Sequence, residues 1–172
     1  VPAIYHRIPE PMIGTVLYPL EEQKQRYPEI YQMHVKKYVG RMQLLDERVE
    51  LLDRRWSEVL FFSPVHPKIL RAARNSIQLP LRTPFRCYEF DTDTLDPRRM
   101  AVLSRMEMNE PLEYRPFVPE DLHRYRAVPG DTIAYWSQEK MRGNVHSLLW
   151  MHIPHILYQG ALDTSIAKVI EG

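Results

Sequence analysis

The sequence predicts an α+β fold: a single domain spanning residues 1–172, built on a curved, mostly antiparallel sheet, with a helical hairpin inserted at about 28–57. Three observations carry this expectation. Strand-like alternation and helix-like periodicity are interspersed irregularly, with spacing too uneven for repeated βαβ units. Fifteen prolines against six glycines cut the chain into short elements with stiff connections. The last stretch, from Ser147 onward, reads almost entirely as strand.

Taken in order, Ala3 to Ile8 alternates and is closed by Pro9, so it is expected as a first strand, with Ile4, His6 and Ile8 on one face. Thr15 to Tyr18 is a second short strand. A helix is expected from about Leu20 to before Pro28, and Pro28 opens another that stops at Gly40. Met42, Leu45, Val49, Leu52 and Trp56 then recur at helical spacing, completing the hairpin. Val59 to Ser63 is an apolar strand that stops at Pro64 and turns into a helix over Lys68 to Ile77.

Phe85 to Phe90 and Ala101 to Leu103 are further strands, separated by the polar stop Asp91-Thr92-Asp93. Met106 to Pro119 reads as a loop. Short helices are expected from Pro119 and from Asp131 to Met141, the latter stopped by Gly143. Ser147 to His152, Ile156 to Tyr158 and Ala167 to Ile170 close the chain as strands.

A net charge of +1 provides no global field for nucleic acid or an anionic membrane. Seventeen of the 23 basic residues are Arg, whose planar fork suits phosphate and carboxylate. Arg71, Arg74, Arg82 and Arg86 lie close in sequence and are read as a solvated face, with direct nucleic-acid contact as the other option. The single cysteine, Cys87, excludes an internal disulfide and a multi-cysteine zinc site, and its alternating context predicts a buried, inert thiol. No apolar run approaches the ~20 residues of a membrane span, so the expectation is a cytoplasmic protein with no membrane partner. Val1 leaves open whether residues precede it.

Motif chemistry is excluded more readily than assigned. The chain has no GxGxxG or GxxxxGK loop and no Gly-x-Ser-x-Gly elbow around Ser63. Asp91, Asp93 and Asp96 lack the glycine and terminal glutamate of a calcium loop. His152 and His155 sit on opposite faces of a strand, so no metal is expected. Ser63 most simply caps or bonds the backbone of the turn that follows it. The candidates that remain are His6 on the first strand, Ser63 and His66 at the strand-to-helix corner, and His155 with Tyr158 near the end.

These residues carry a resemblance. Phe61-Phe62-Ser63-Pro64-Val65-His66-Pro67 resembles the Tyr-Phe-x-Pro-Arg-Ser-Pro stretch of DarT-type DNA ADP-ribosyltransferases. Ile4-Tyr5-His6-Arg7 resembles the first strand of ADP-ribosyltransferase folds, whose histidine binds a ribose of NAD. Pro154-His155-Ile156-Leu157-Tyr158-Gln159-Gly160 is similar to the tail of a small uncharacterised bacterial family thought to share that fold.

The resemblance implies NAD or a related phosphorylated nucleotide as ligand, no metal, and an ADP-ribosyltransferase-like activity on an unidentified acceptor. His6 would hold a ribose and Arg7 a phosphate. Ser63 and His66 would line the pocket, Tyr18, Phe62 and Tyr158 would offer faces for stacking, and His155 with His66 would act in catalysis. Val65 stands where those enzymes carry an arginine and His155 where they carry a glutamate, so the site would be Glu-free and His-based. Loss of both residues equally fits an inactive binding or interaction module of the same fold. An exposed apolar face on the hairpin would then serve a homodimer or another partner.

Overall fold

The computed structural model describes residues 2–105 and 111–172. In chain order its regular elements are β1 (Ala3–Arg7), β2 (Val16–Leu17), α1 (Leu20–Arg26), α2 (Pro28–Val35), β3 (Arg48–Val49), β4 (Arg54–Arg55), β5 (Val59–Phe62) and α3 (Pro67–Ser76). There follow β6 (Arg86–Asp91), β7 (Met100–Arg105), β8 (Glu113–Pro116), α4 (Gly130–Met141), β9 (His155–Gln159), β10 (Leu162–Asp163) and β11 (Lys168–Glu171). Every strand pair is antiparallel, so the α+β expectation holds.

Two sheets organise the chain, one in the order β1-β6-β11 and one in the order β5-β9-β7-β8. They meet where β5 runs out: Tyr5 and Ser63 exchange both backbone hydrogen bonds, each 2.8 Å. That single bridge lays β1 across the end of β5 and brings His6 beside Phe61.

The four-stranded sheet is buried on both faces, and period-two alternation decides which residue goes where. Leu60 and Phe62 of β5, Met100 and Val102 of β7, and Ile156 and Tyr158 of β9 pack with Ile4, Phe90 and Leu122 in the main core. Their neighbours Val59, Ala101, Leu103 and Leu157 face the other way, onto Tyr38, Leu45, Val49, Leu52 and Trp56. A third core, built on Val65, Leu70, Leu79, Trp136 and Ile153, locks α3 and α4 to the corner after β5.

Three segments depart from the sequence reading. The second half of the expected hairpin is not a helix: residues 42–58 form three short 3-10 turns around the β3–β4 ladder, with Asp53 left-handed at φ 52° in its turn. Spacings of three and four serve successive 3-10 turns as well as an α-helix. The same apolar residues are buried, but the flat sheet face they must cover overrides the helical option.

Ser147 to His152 is a run of turns, not a strand. Its carbonyls are taken by side chains of the helices: Thr132 Oγ1 donates to Met151 O at 2.7 Å and Trp136 Nε1 to Leu148 O at 3.0 Å. A ladder needs those acceptors free. The expected loop 106–119 includes β8, paired with β7, while residues 106–110 lie outside the described residues. Cys87 is buried as expected, and burial pushes its thiol up to about 12. Among the described residues no helix is long and apolar enough to cross a membrane.

Candidate functional site

The join between the two sheets opens into a cleft of two lobes. The first, about 580 Å³, lies between β1, β5 and the β2–α1–α2 segment. The second, about 670 Å³, lies between residues 80–85, residues 145–151 and the turn after α2. They share Arg7, Lys37, Tyr38, Trp56, Phe61, Trp150 and His155 as walls.

His6 lines the first lobe. Its Nδ1 is 2.8 Å from the carbonyl of Phe61, which can only accept, so Nδ1 carries the proton and the neutral ring presents Nε2 as an acceptor. Burial is the main reason its pKa falls to about 4; Lys37 and His34 act in the same direction and the Phe61 bond opposes them. His155 opens β9 opposite Leu103 and walls both lobes, edge-on to Phe61 at 6.4 Å. Burial, assisted by the Lys37 charge, pushes it down to about 4 as well. Near neutral pH both imidazoles are therefore uncharged hydrogen-bonding groups.

The other sequence candidates divide. Arg7 is exposed, lines both lobes and lies 5.4 Å from the Phe85 ring centre. Tyr18 walls the first lobe, with the Arg26 guanidinium 4.8 Å from its ring centre. Ser63 reaches the same lobe, but its hydroxyl accepts from Val65 N at 3.1 Å and donates to Val65 O at 3.2 Å, the backbone-bonding role.

His66 is the cap of α3: its Nδ1 accepts from Lys68 N at 3.1 Å, and it lines neither lobe. The structure does not bring His66 to the cleft with His6 and His155, because the turn at Pro64 and Pro67 uses the imidazole to satisfy a helix N-terminus. Tyr158 lines neither lobe. Two residues along a strand share a face but three do not, so Tyr158 points from β9 into the main core, away from His155, and Arg99 covers its ring at 4.9 Å. Phe62, 1% exposed, touches the first lobe but is edge-packed on Phe90 at 5.5 Å, so it is core and offers no face for stacking.

Several residues of the cleft were missed in the sequence. Gln23 donates to Tyr18 O at 2.8 Å, and its own Oε1 lies 2.8 Å from His34 Nδ1, so His34 and Gln23 together hold the Tyr18 backbone. Tyr38 and Trp56 line the cleft together: Trp56 Nε1 donates to Tyr38 Oη at 3.0 Å, and the Trp56 and Phe61 rings lie tilted with centres 4.5 Å apart. Lys37 and Arg41 lie over the Tyr38 ring at 5.2 and 5.6 Å. The available signal was the density of Tyr and Lys/Arg between residues 27 and 41, which a purely buried helix face does not need.

Tyr38→Phe is expected to destabilise the protein by about 1–3 kcal/mol, because it strands a buried indole N–H. Urea unfolding measures this; an unchanged midpoint would mean that water replaces the hydroxyl.

The charge of the cleft is one-sided. Glu10 is the only carboxylate along either lobe among the described residues, and the second lobe has none. Among the described residues no group of three or more His, Cys, Asp or Glu side chains converges as a metal site. The chain matches no protein-family model, and comparison with curated proteins and with solved structures gave no significant match.

Proposed function

We propose that this chain is an ADP-ribosyltransferase-like protein whose cleft binds NAD or a related phosphorylated nucleotide. The observation that carries this reading is the pairing of aromatic walls with an almost carboxylate-free, cationic lining. Phosphates seek fixed cations, and bases or nicotinamide seek flat rings. His6 accepts from a ribose hydroxyl through Nε2, Arg7 takes a phosphate, and Tyr18 supplies a stacking face. His155, neutral and set between the lobes, orients the group that would react.

A second reading, an inactive binding module of the same fold, is favoured by one observation. Among the described residues no carboxylate lies along the lobes near His155 to balance an oxocarbenium-like charge, and a neutral imidazole supplies none. Binding is therefore the common ground of both readings, and transfer is what separates them.

Thermal melting with NAD, NADP, ADP-ribose and AMP tests binding. A ligand at a hundred times its Kd adds ~2.7 kcal/mol, which in a domain of this size raises Tm by about 5–10 °C. His6→Ala is expected to abolish the shift. No shift with any of the four at millimolar concentration would overturn the reading. Release of nicotinamide from NAD that His155→Ala abolishes would favour the transferase; binding without release would favour the module.

A further inference from the structure

The second lobe has a character of its own. Arg7, Lys37, Arg41 and Arg82 all line it, and none of the four is ion-paired among the described residues. Elsewhere the chain pairs its arginines readily, as in Arg55 with Glu58 and Arg142 with Glu139. Like charges gathered round one concavity repel, and a low-dielectric wall strengthens the repulsion. Lys37 registers it: burial first, then the Arg41 charge, holds its ammonium below the usual lysine range.

A second observation is independent of charge. Trp150 walls this lobe, and its indole N–H is buried without an acceptor among the described residues. Buried donors are ordinarily satisfied, and this unsatisfied one belongs to a residue that walls the cationic lobe. Tyr38, Phe85 and Trp150 keep the remaining walls apolar.

We propose that the second lobe is a binding site for a chain of phosphates, adjoining the first lobe through the shared walls Arg7 and Lys37. A lone carboxylate engages one guanidinium fork. Arg41 after α2, Arg82 before β6 and Arg7 on β1 come from three different segments, and a linked row of phosphates answers all three with Lys37. The phosphates can belong to a nucleoside polyphosphate or to free inorganic polyphosphate, since the chemistry recognised is the same. The inference does not depend on the nucleotide reading of the first lobe.

Calorimetric titration of the whole chain with inorganic tripolyphosphate tests it. The wild type is expected to bind, and Arg41→Gln/Arg82→Gln to bind about tenfold or more weakly, since charge-assisted contacts are lost. Both arginines are exposed, so the fold is not at stake. Lys24→Gln/Lys168→Gln removes the same charge from exposed positions that line neither lobe and should leave affinity within about threefold.

No binding by the wild type would overturn the proposal. So would an equal loss in the two double variants, which would show a diffuse charge effect. ADP and adenosine in parallel identify the source: ADP binding more tightly than tripolyphosphate supports a nucleotide-borne phosphate chain, and the reverse supports free polyphosphate. His6→Ala should leave tripolyphosphate binding intact, so this site and the nucleotide reading fail separately.

Discussion

Arg74→Met is expected to cost about 3–5 kcal/mol, the range for breaking a buried charged network, and to lower Tm by about 8–15 °C. Arg74 lies on α3 and is only 2% exposed. It donates to Leu79 O at 3.0 Å, to Ser147 Oγ at 2.8 Å and to Val145 O at 3.4 Å, and its guanidinium lies 5.2 Å from the Trp136 ring centre. No carboxylate pairs with it among the described residues, so its charge is held by neutral acceptors and an aromatic face.

Methionine keeps the apolar stem and removes all three donors, leaving buried acceptors unmet. The side chain also pins the 145–147 turns that wall the second lobe, so binding there should weaken along with stability. Equilibrium urea unfolding is the measurement. A loss under about 1 kcal/mol would show that water reaches the network. This residue also corrects the sequence reading of Arg74 as part of a solvated face.

Stability is expected to fall as pH drops from about 6.5 toward 4, by on the order of 2–3 kcal/mol for each of His6 and His155. Both rings are pushed from 6.5 down to about 4 in the folded protein. Between those values the unfolded chain binds more protons than the folded one, so acid favours unfolding. The full stability is present above pH 6.5, and the loss is complete below about 4. Glu58, Asp96 and Asp163 are held below the usual carboxylate range by hydrogen bonds to Arg55, Arg98 and Ser165, so they contribute only at the acid end of this window.

Urea midpoints at pH 7.5, 5.5 and 4.5 for the wild type and for His6→Gln/His155→Gln separate the two sources. The variant, with neutral amides, should lose most of the slope between pH 6.5 and 4.5. Parallel slopes would show that the imidazoles are protonated as freely in the folded state as in the unfolded one. The same neutrality has a functional side: the positive charge offered to a ligand near pH 7 comes from arginine and lysine, not from histidine.

Much of this architecture is legible along the chain, for local reasons. Alternation placed β1, β5, β6, β7, β9 and β11, and proline with glycine placed the ends of α1, α3 and α4. His6, Arg7, Tyr18 and His155, singled out in the sequence, line the first lobe. Each sits on or beside a strand whose face its own alternation determines.

What needed the tertiary structure is everything decided by partners far away in sequence. Whether 42–56 winds as a helix or as 3-10 turns depends on the sheet face it covers, and whether 147–152 pairs as a strand depends on Arg74, Thr132 and Trp136 claiming its neighbours. His66 and Tyr158 were plausible ligands in sequence, but a helix end took one and the main core the other. The cationic second lobe joins residues from 7 to 155, and no local pattern records that their charges converge. Local sequence sets which face a side chain takes; only the packing of distant segments sets what that face meets.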